Sequence, residues 1–216
     1  GPDGREINRN RLIALAAAIV LEKDPGGTIV TDSVASSGLK EFIEKDLGGV
    51  HCRFKRGYKN VINEAIRLNQ AGISAPLAIE TSGHAALREN YFLDDGAYLI
   101  TRIIIQAARM RRQGRQLEDL IAALKEPAES AEVRFPILRA DFAAYGQGVL
   151  ERLEAYARRM GWPIADDSRE GVRLTVGDGW LLLRLSVHDP VMPMNFESDH
   201  VGGCREIAAQ IRPFLD

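Results

Sequence analysis

Only two cysteines, Cys52 and Cys204, occur in 216 residues. That is too few for a disulfide framework and fits free thiols in a reducing compartment. Histidine is sparse at four residues, and no His/Cys set has the spacing of a structural zinc site. The formal charge is −2, so the chain as a whole offers no attraction for nucleic acid, and any anion site must be local. Long apolar runs are missing too. The longest, Leu12 to Leu21, is too short to span a bilayer, is flanked by Arg9, Arg11, Glu22 and Lys23, and carries no cleavable signal pattern. It reads as a buried helix, with no membrane partner and a cytoplasmic location as the expectations. There is no internal repeat and no low-complexity tract.

What is present is enough for a substantial core: 45% hydrophobic and 27% charged residues over this length indicate one large domain or two small ones. The first hundred residues alternate helix-like and strand-like segments, the pattern of a layered α/β sheet with crossover helices. Helices are predicted at Asn10 to Leu21, Leu39 to Asp46 and Lys59 to Asn69, and strands at Thr28 to Val34, Val50 to Phe54 and Pro76 to Glu80. A long helix, Ala97 to Gln113, and another at Leu117 to Leu124 follow. Lys125 to Ala131 has the composition of a linker, which places domains at 1–126 and 132–216. The second domain reads as a small α+β fold with an antiparallel sheet and helices on one face. Its strands are Val133 to Leu138, Val172 to Val176, Trp180 to Ser186 and Val191 to Glu197, and its helices Asp141 to Met160 and Gly203 to Phe214. Gly177-Asp178-Gly179 is a hairpin signal.

Two polar constellations carry chemistry. Glu80-Thr81-Ser82-Gly83-His84 begins where the apolar run Ala75 to Ile79 stops, at the carboxyl end of a strand, where open α/β sheets bind ligands. Side chains at i and i+2 of an extended segment project together, so Glu80 and Ser82 suit a sugar diol, and Gly83 allows a close turn. The alternative is a strand end whose polar residues cap the next turn. In the second constellation Arg184 and Ser186 share a strand face and run into Val187-His188-Asp189-Pro190. A guanidinium fork, a hydroxyl and the turn amides of Val187 and His188 suit a phosphate monoester. The alternative is a solvated strand arginine paired with a neighbouring acid.

Glu80, Ser82, Gly83 and His84 match a Gly-Glu-x-Ser-Gly-His sugar loop, with Ile79 in place of the leading glycine. Thr28 to Ser36, Arg56-Gly57-Tyr58-Lys59 and Phe92 to Gly96 follow the same order and spacing as the flanking segments. On these residues the chain resembles the alpha-D-phosphohexomutases, the phosphomannomutase and phosphoglucomutase enzymes. The resemblance implies the third and fourth domains of that family, with Glu80, Ser82, Gly83 and His84 binding the sugar. Arg184, Ser186, Val187, His188 and Pro190 would bind phosphate, although Val187 and His188 depart from the family pattern. Gly57, Tyr58 and Lys59 are the implied active-site contacts, Lys59 being equally readable as a solvated helix-opening lysine. Lys55 and Arg56 add general positive potential. His84 reads as a hydrogen-bonded structural residue, and Asp94 and Asp95 as caps of the following helix.

The family's phosphoserine segment and its Asp-x-Asp-Gly-Asp-Arg magnesium loop have no counterpart here, Asp3-Gly4-Arg5 being a superficial echo. The resemblance therefore implies a C-terminal fragment with no catalytic residue and no metal of its own. In the intact enzyme magnesium would be held outside this chain. The partners are then a hexose phosphate and the N-terminal half, and the fragment alone is expected to be inactive. The competing expectation is a stand-alone sugar-phosphate-binding or regulatory module.

Overall fold

Every residue from Ile13 to Leu21 is buried in the computed structural model, which describes residues 1, 4–186 and 189–216. A helix apolar on all sides belongs in an interior, and α1 (Arg9–Leu21) is one. It ends before Pro25-Gly26-Gly27, with Gly26 at φ 76°. The chain forms two compact units, Gly1–Lys125 and Glu126–Asp216.

In the first unit β1 (Thr28–Thr31) lies between two parallel neighbours, β2 (Val50–Arg53) and β3 (Leu77–Ile79). An antiparallel strand, β4 (Ala85–Leu87), completes the order β2-β1-β3-β4. Alternation along the strands divides the core. Ile29, Leu77 and Ile79 face α1 and its neighbours, while Val30 and Ala78 pack with Val61, Ala65 and Leu68 of α3 (Tyr58–Gln70). The short helix α2 (Ser37–Glu41) is capped by Ser36 Oγ, which accepts from the Leu39 amide at 2.9 Å, and widens into a π-helical turn, Phe42–Asp46. Helix α4 (Gly96–Arg112) buries Leu99 and Met110, and a 3-10 turn, Leu117–Ile121, stands where a longer helix is expected.

Two expectations are corrected in this unit, and one strand had not been read at all. β1 stops at Thr31 rather than Val34, because Asp32 is drawn into side-chain bonds with Thr81 and opens a turn through Ala35 N–H···O Asp32. β4 carries no sequence signal beyond three apolar residues. Leu117 to Leu124 gives one tight turn in which Gln116 and Asp119 satisfy each other's backbone amides.

The second unit is an antiparallel sheet of β5 (Glu129–Pro136), β6 (Val172–Val176), β7 (Gly179–Leu183) and β8 (Val191–Ser198), in the order β5-β8-β7-β6. Leu174, Leu181, Leu183, Met194 and Phe196 meet Leu150, Leu153 and Ala157 of α5 (Phe142–Met160) and Ile207 and Ile211 of α6 (Gly203–Leu215). Both helices thus cover one face. On the other, the Arg173 guanidinium lies 3.5 Å from the centre of the Trp180 ring, whose Nε1–H donates to Glu197 at 2.9 Å. Strand β5 begins inside the expected linker, because Glu129 pairs with Ser198 and its carboxylate accepts from the Gly202 and Cys204 amides at 3.1 and 3.0 Å. Burial pushes the Cys204 thiol up to about 11, so it is inert as a nucleophile. Among the described residues no helix is long and apolar enough to cross a membrane.

The β6–β7 hairpin is clasped by His200, whose Nδ1 lies 2.7 Å from Asp178 and whose Nε2 lies 3.4 Å from Glu206. The Asp178 bond, then the Glu206 bond, raises the His200 pKa, and the same clasp lowers that of Asp178. Its contribution is full below the ordinary histidine value of 6.5 and fades as pH rises through the raised one; on the acid side it is lost as pH falls through Asp178's depressed value. Both groups are exposed, so the effect on stability is small. An NMR titration should place the His200 midpoint above 6.5, and Asp178→Asn should bring it down; equal midpoints in the two proteins would remove the clasp.

Candidate functional site

The parallel strands end level, since Thr31 pairs with both Arg53 and Ile79. The residues that follow, Asp32, Phe54 and Glu80, therefore share the carboxyl edge of the sheet, where crossover topology leaves room for a ligand. Glu80 is buried there. One carboxylate oxygen accepts the Gly57 amide at 2.6 Å and the other accepts from Ser82 Oγ at 3.3 Å. The turn between β3 and β4 is closed by Glu80 N–H to His84 O and Gly83 N–H to Glu80 O, both 2.9 Å, with Gly83 at φ 98°. Glu80 and Ser82 thus do project together, and the exposed Ser82 hydroxyl is the outward end of the pair.

Gly57 stands at the N-cap of α3 with φ 112°, a conformation that leaves its amide aimed at Glu80. The next residue, Tyr58, stacks on His84 with ring centroids 5.1 Å apart and 26° between planes. Lys59 Nζ lies 5.9 Å from the Tyr58 ring centre. His84 Nδ1 is 2.7 Å from Asp94 Oδ2, and Asp94 Oδ1 accepts from the Ala85 amide at 3.1 Å. Asp94 is therefore a histidine partner rather than a helix cap. Asp95 alone caps α4, accepting from the Tyr98 amide at 2.9 Å, and that bond holds its carboxyl below the usual range.

Beneath this surface lies Asp32, wholly buried at the end of β1. Its two oxygens accept from Thr81 Oγ1 at 2.7 Å and the Thr81 amide at 3.3 Å, and Arg56 Nε lies 3.9 Å away. Burial pushes the Asp32 carboxyl up, the Thr81 hydroxyl pulls it down, Glu80's charge raises it and Arg56 lowers it. Sequence reasoning passed over Asp32 and Thr81. The available signal was that Asp32, like Glu80, is an acid placed directly after a β-branched or apolar strand.

In the second unit the Arg184 and Ser186 amides donate to Pro193 and Val191 carbonyls at 3.1 and 3.0 Å, so both side chains keep to one face beyond the end of β7. Arg184 is buried rather than solvated, with Nη1 3.9 Å from Glu170. Gly171 presses its backbone on this residue: a Cβ there would meet the Leu183 carbonyl at 2.1 Å and Arg184 Cβ at 2.9 Å. Ser186 Oγ accepts from the Asp189 amide at 3.3 Å, and Pro190 is exposed. Val187 and His188 lie outside the described residues, as does Asp3.

Residues 8–127 match the family model for phosphoglucomutase/phosphomannomutase, alpha/beta/alpha domain III. A phosphomannomutase/phosphoglucomutase of Pseudomonas putida is 28% identical over 198 residues, covering 91% of this chain and 39% of that protein. A solved phosphoglucomutase/phosphomannomutase family protein of Burkholderia thailandensis superposes with a TM-score of 0.77 at 27% identity, covering 99% of this chain and 42% of its own. The N-acetylphosphoglucosamine mutase of Aspergillus fumigatus, solved with GlcNAc-6P and magnesium, shares the fold at 13% identity, with a TM-score of 0.59 over 98% of this chain. The chain thus spans about two-fifths of the length of its relatives.

Proposed function

Since the chain belongs to the phosphoglucomutase/phosphomannomutase family, we propose that it supplies the sugar- and phosphate-holding portion of an enzyme interconverting hexose 1- and 6-phosphates. The observation that carries this reading is the Glu80 carboxylate, held by the Gly57 amide with the Ser82 hydroxyl at its outer oxygen. Such a pair meets vicinal sugar hydroxyls as acceptor and donor together. His84, oriented by Asp94 and stacked by Tyr58, stands at the rim of the same turn. Arg184 and Ser186 supply the phosphate-holding group.

Phosphoryl transfer depends chiefly on position and charge. In this reading this chain orients the hexose and anchors one phosphate, while magnesium, if held by residues outside this chain, would supply charge stabilisation at the other. Among the described residues no three His, Cys, Asp or Glu side chains gather as a metal ligand set.

The test is twofold. The whole enzyme should convert glucose 1-phosphate to glucose 6-phosphate, while the 216-residue chain alone should not. Amide NMR signals of Gly57, Ser82 and Gly83 in that chain should move on titration with millimolar glucose 6-phosphate. A silent spectrum together with an inactive whole protein would sink the proposal.

A further inference from the structure

A buried carboxylate is costly unless what it holds repays it. Asp32 is buried completely, yet it makes no bond that merely completes the sheet. Both of its oxygens are directed at Thr81, the residue between Glu80 and Ser82. Arg56 Nε lies 3.9 Å from the oxygen that accepts the Thr81 hydroxyl, and its neighbour Gly57 gives its amide to Glu80. One carboxylate thus reaches two chain segments, Arg56–Gly57 and Glu80–Ser82, that meet again through the Gly57–Glu80 bond.

The geometry points to Asp32 as a positioning residue that fixes the Glu80–Ser82 loop through Thr81 and holds Arg56 beside it, a role that rests on reading that loop as the sugar grip. Two acceptor oxygens are needed for this. An asparagine of the same size would turn an NH₂ against one of the two Thr81 donors. In the turn that follows β3, Thr81 is buried while Ser82 is exposed, so an anchoring residue sits between the two assigned to the ligand. The Arg56 side chain is 34% exposed. Its inner nitrogen lies toward Asp32, and the exposed remainder adds a cation at the loop where a phosphorylated sugar would approach.

The test is steady-state kinetics on glucose 1-phosphate with the whole enzyme, alongside thermal melts. Asp32→Asn and Thr81→Val should each lower kcat/KM about 10- to 100-fold, the scale of a small misplacement of reacting groups. The double variant should be no worse than the poorer single one, because both break the same tie. Thr81→Ser, which keeps the hydroxyl, should recover most of the loss. A merely structural tie would lower the melting temperature and leave the kinetics of the folded enzyme intact. Near-normal kcat/KM in folded Asp32→Asn, with Glu80→Ala still crippled, overturns the positioning role and spares the sugar grip. Near-normal kinetics in Glu80→Ala overturns both. Should Asp32→Asn fail to fold, Thr81→Val against Thr81→Ser decides: equal kinetics in the two would end the proposal.

Discussion

Glu80→Ala in the whole enzyme should reduce kcat/KM by roughly 100- to 10,000-fold, the equivalent of two charge-assisted hydrogen bonds of about 1.5–3 kcal/mol each. The side chain lost is the acceptor on which the Gly57 amide and the Ser82 hydroxyl converge. Two opposing effects set the stability change. The half-buried Gly57 amide loses its partner, at up to about 1–3 kcal/mol, but Asp32 loses a neighbouring negative charge. The melting temperature should therefore fall far less than activity. Glu80→Gln should separate charge from shape, since it keeps one acceptor oxygen while weakening the grip on hydroxyl protons. Near-normal turnover of glucose 1-phosphate by the alanine variant would remove the sugar assignment.

Arg184→Ala should raise the KM for glucose 1-phosphate about 10- to 100-fold, the weight of one bond from a charged donor to phosphate, with a smaller change in kcat. The burial of this arginine beside Glu170 adds a second consequence. Removing the guanidinium takes a counter-charge from a carboxylate that is only 10% exposed, so the alanine variant should also melt earlier. Arg184→Lys separates the two effects. A lysine keeps the charge near Glu170 and should restore most of the melting temperature, but it lacks the planar fork and should leave KM high. An unchanged KM in Arg184→Ala would count decisively against the phosphate role.

The hydrophobic pattern made the main elements readable: α1 and α3 from their apolar spacing, β6 and β7 from the Gly177-Asp178 turn, and α5 and α6 from their long amphipathic runs. It misled where side-chain chemistry overrode propensity. β-branched Thr31 and Val34 pointed to one strand, but the pull of Thr81 on Asp32 bends the chain between them. β4 is three residues long and is defined by pairing with β3, which periodicity within so short a stretch cannot report. The two polar clusters were visible because each follows an apolar strand. What could not be read were the long-range partners: Asp32 for Thr81, 49 positions apart, and Gly57 for Glu80, 23 apart. Asp94 looked like a cap because local spacing favours one, whereas the fold brings it to His84.

The second sheet is completed only by its last strand in sequence. Its first strand, β5, pairs with its last, β8, so Glu129 meets Ser198 across nearly the whole unit. During vectorial synthesis β5 emerges with no neighbour and must wait until residue 198 has left the ribosome. Glu132 and Arg134 on its exposed stretch are the kind of charges that discourage pairing with a stranger strand in the interval. The segment bearing Arg184 is bonded to the same last strand through the Pro193 and Val191 carbonyls, so it too gains its final shape only once β8 has emerged, late in the life of the nascent chain.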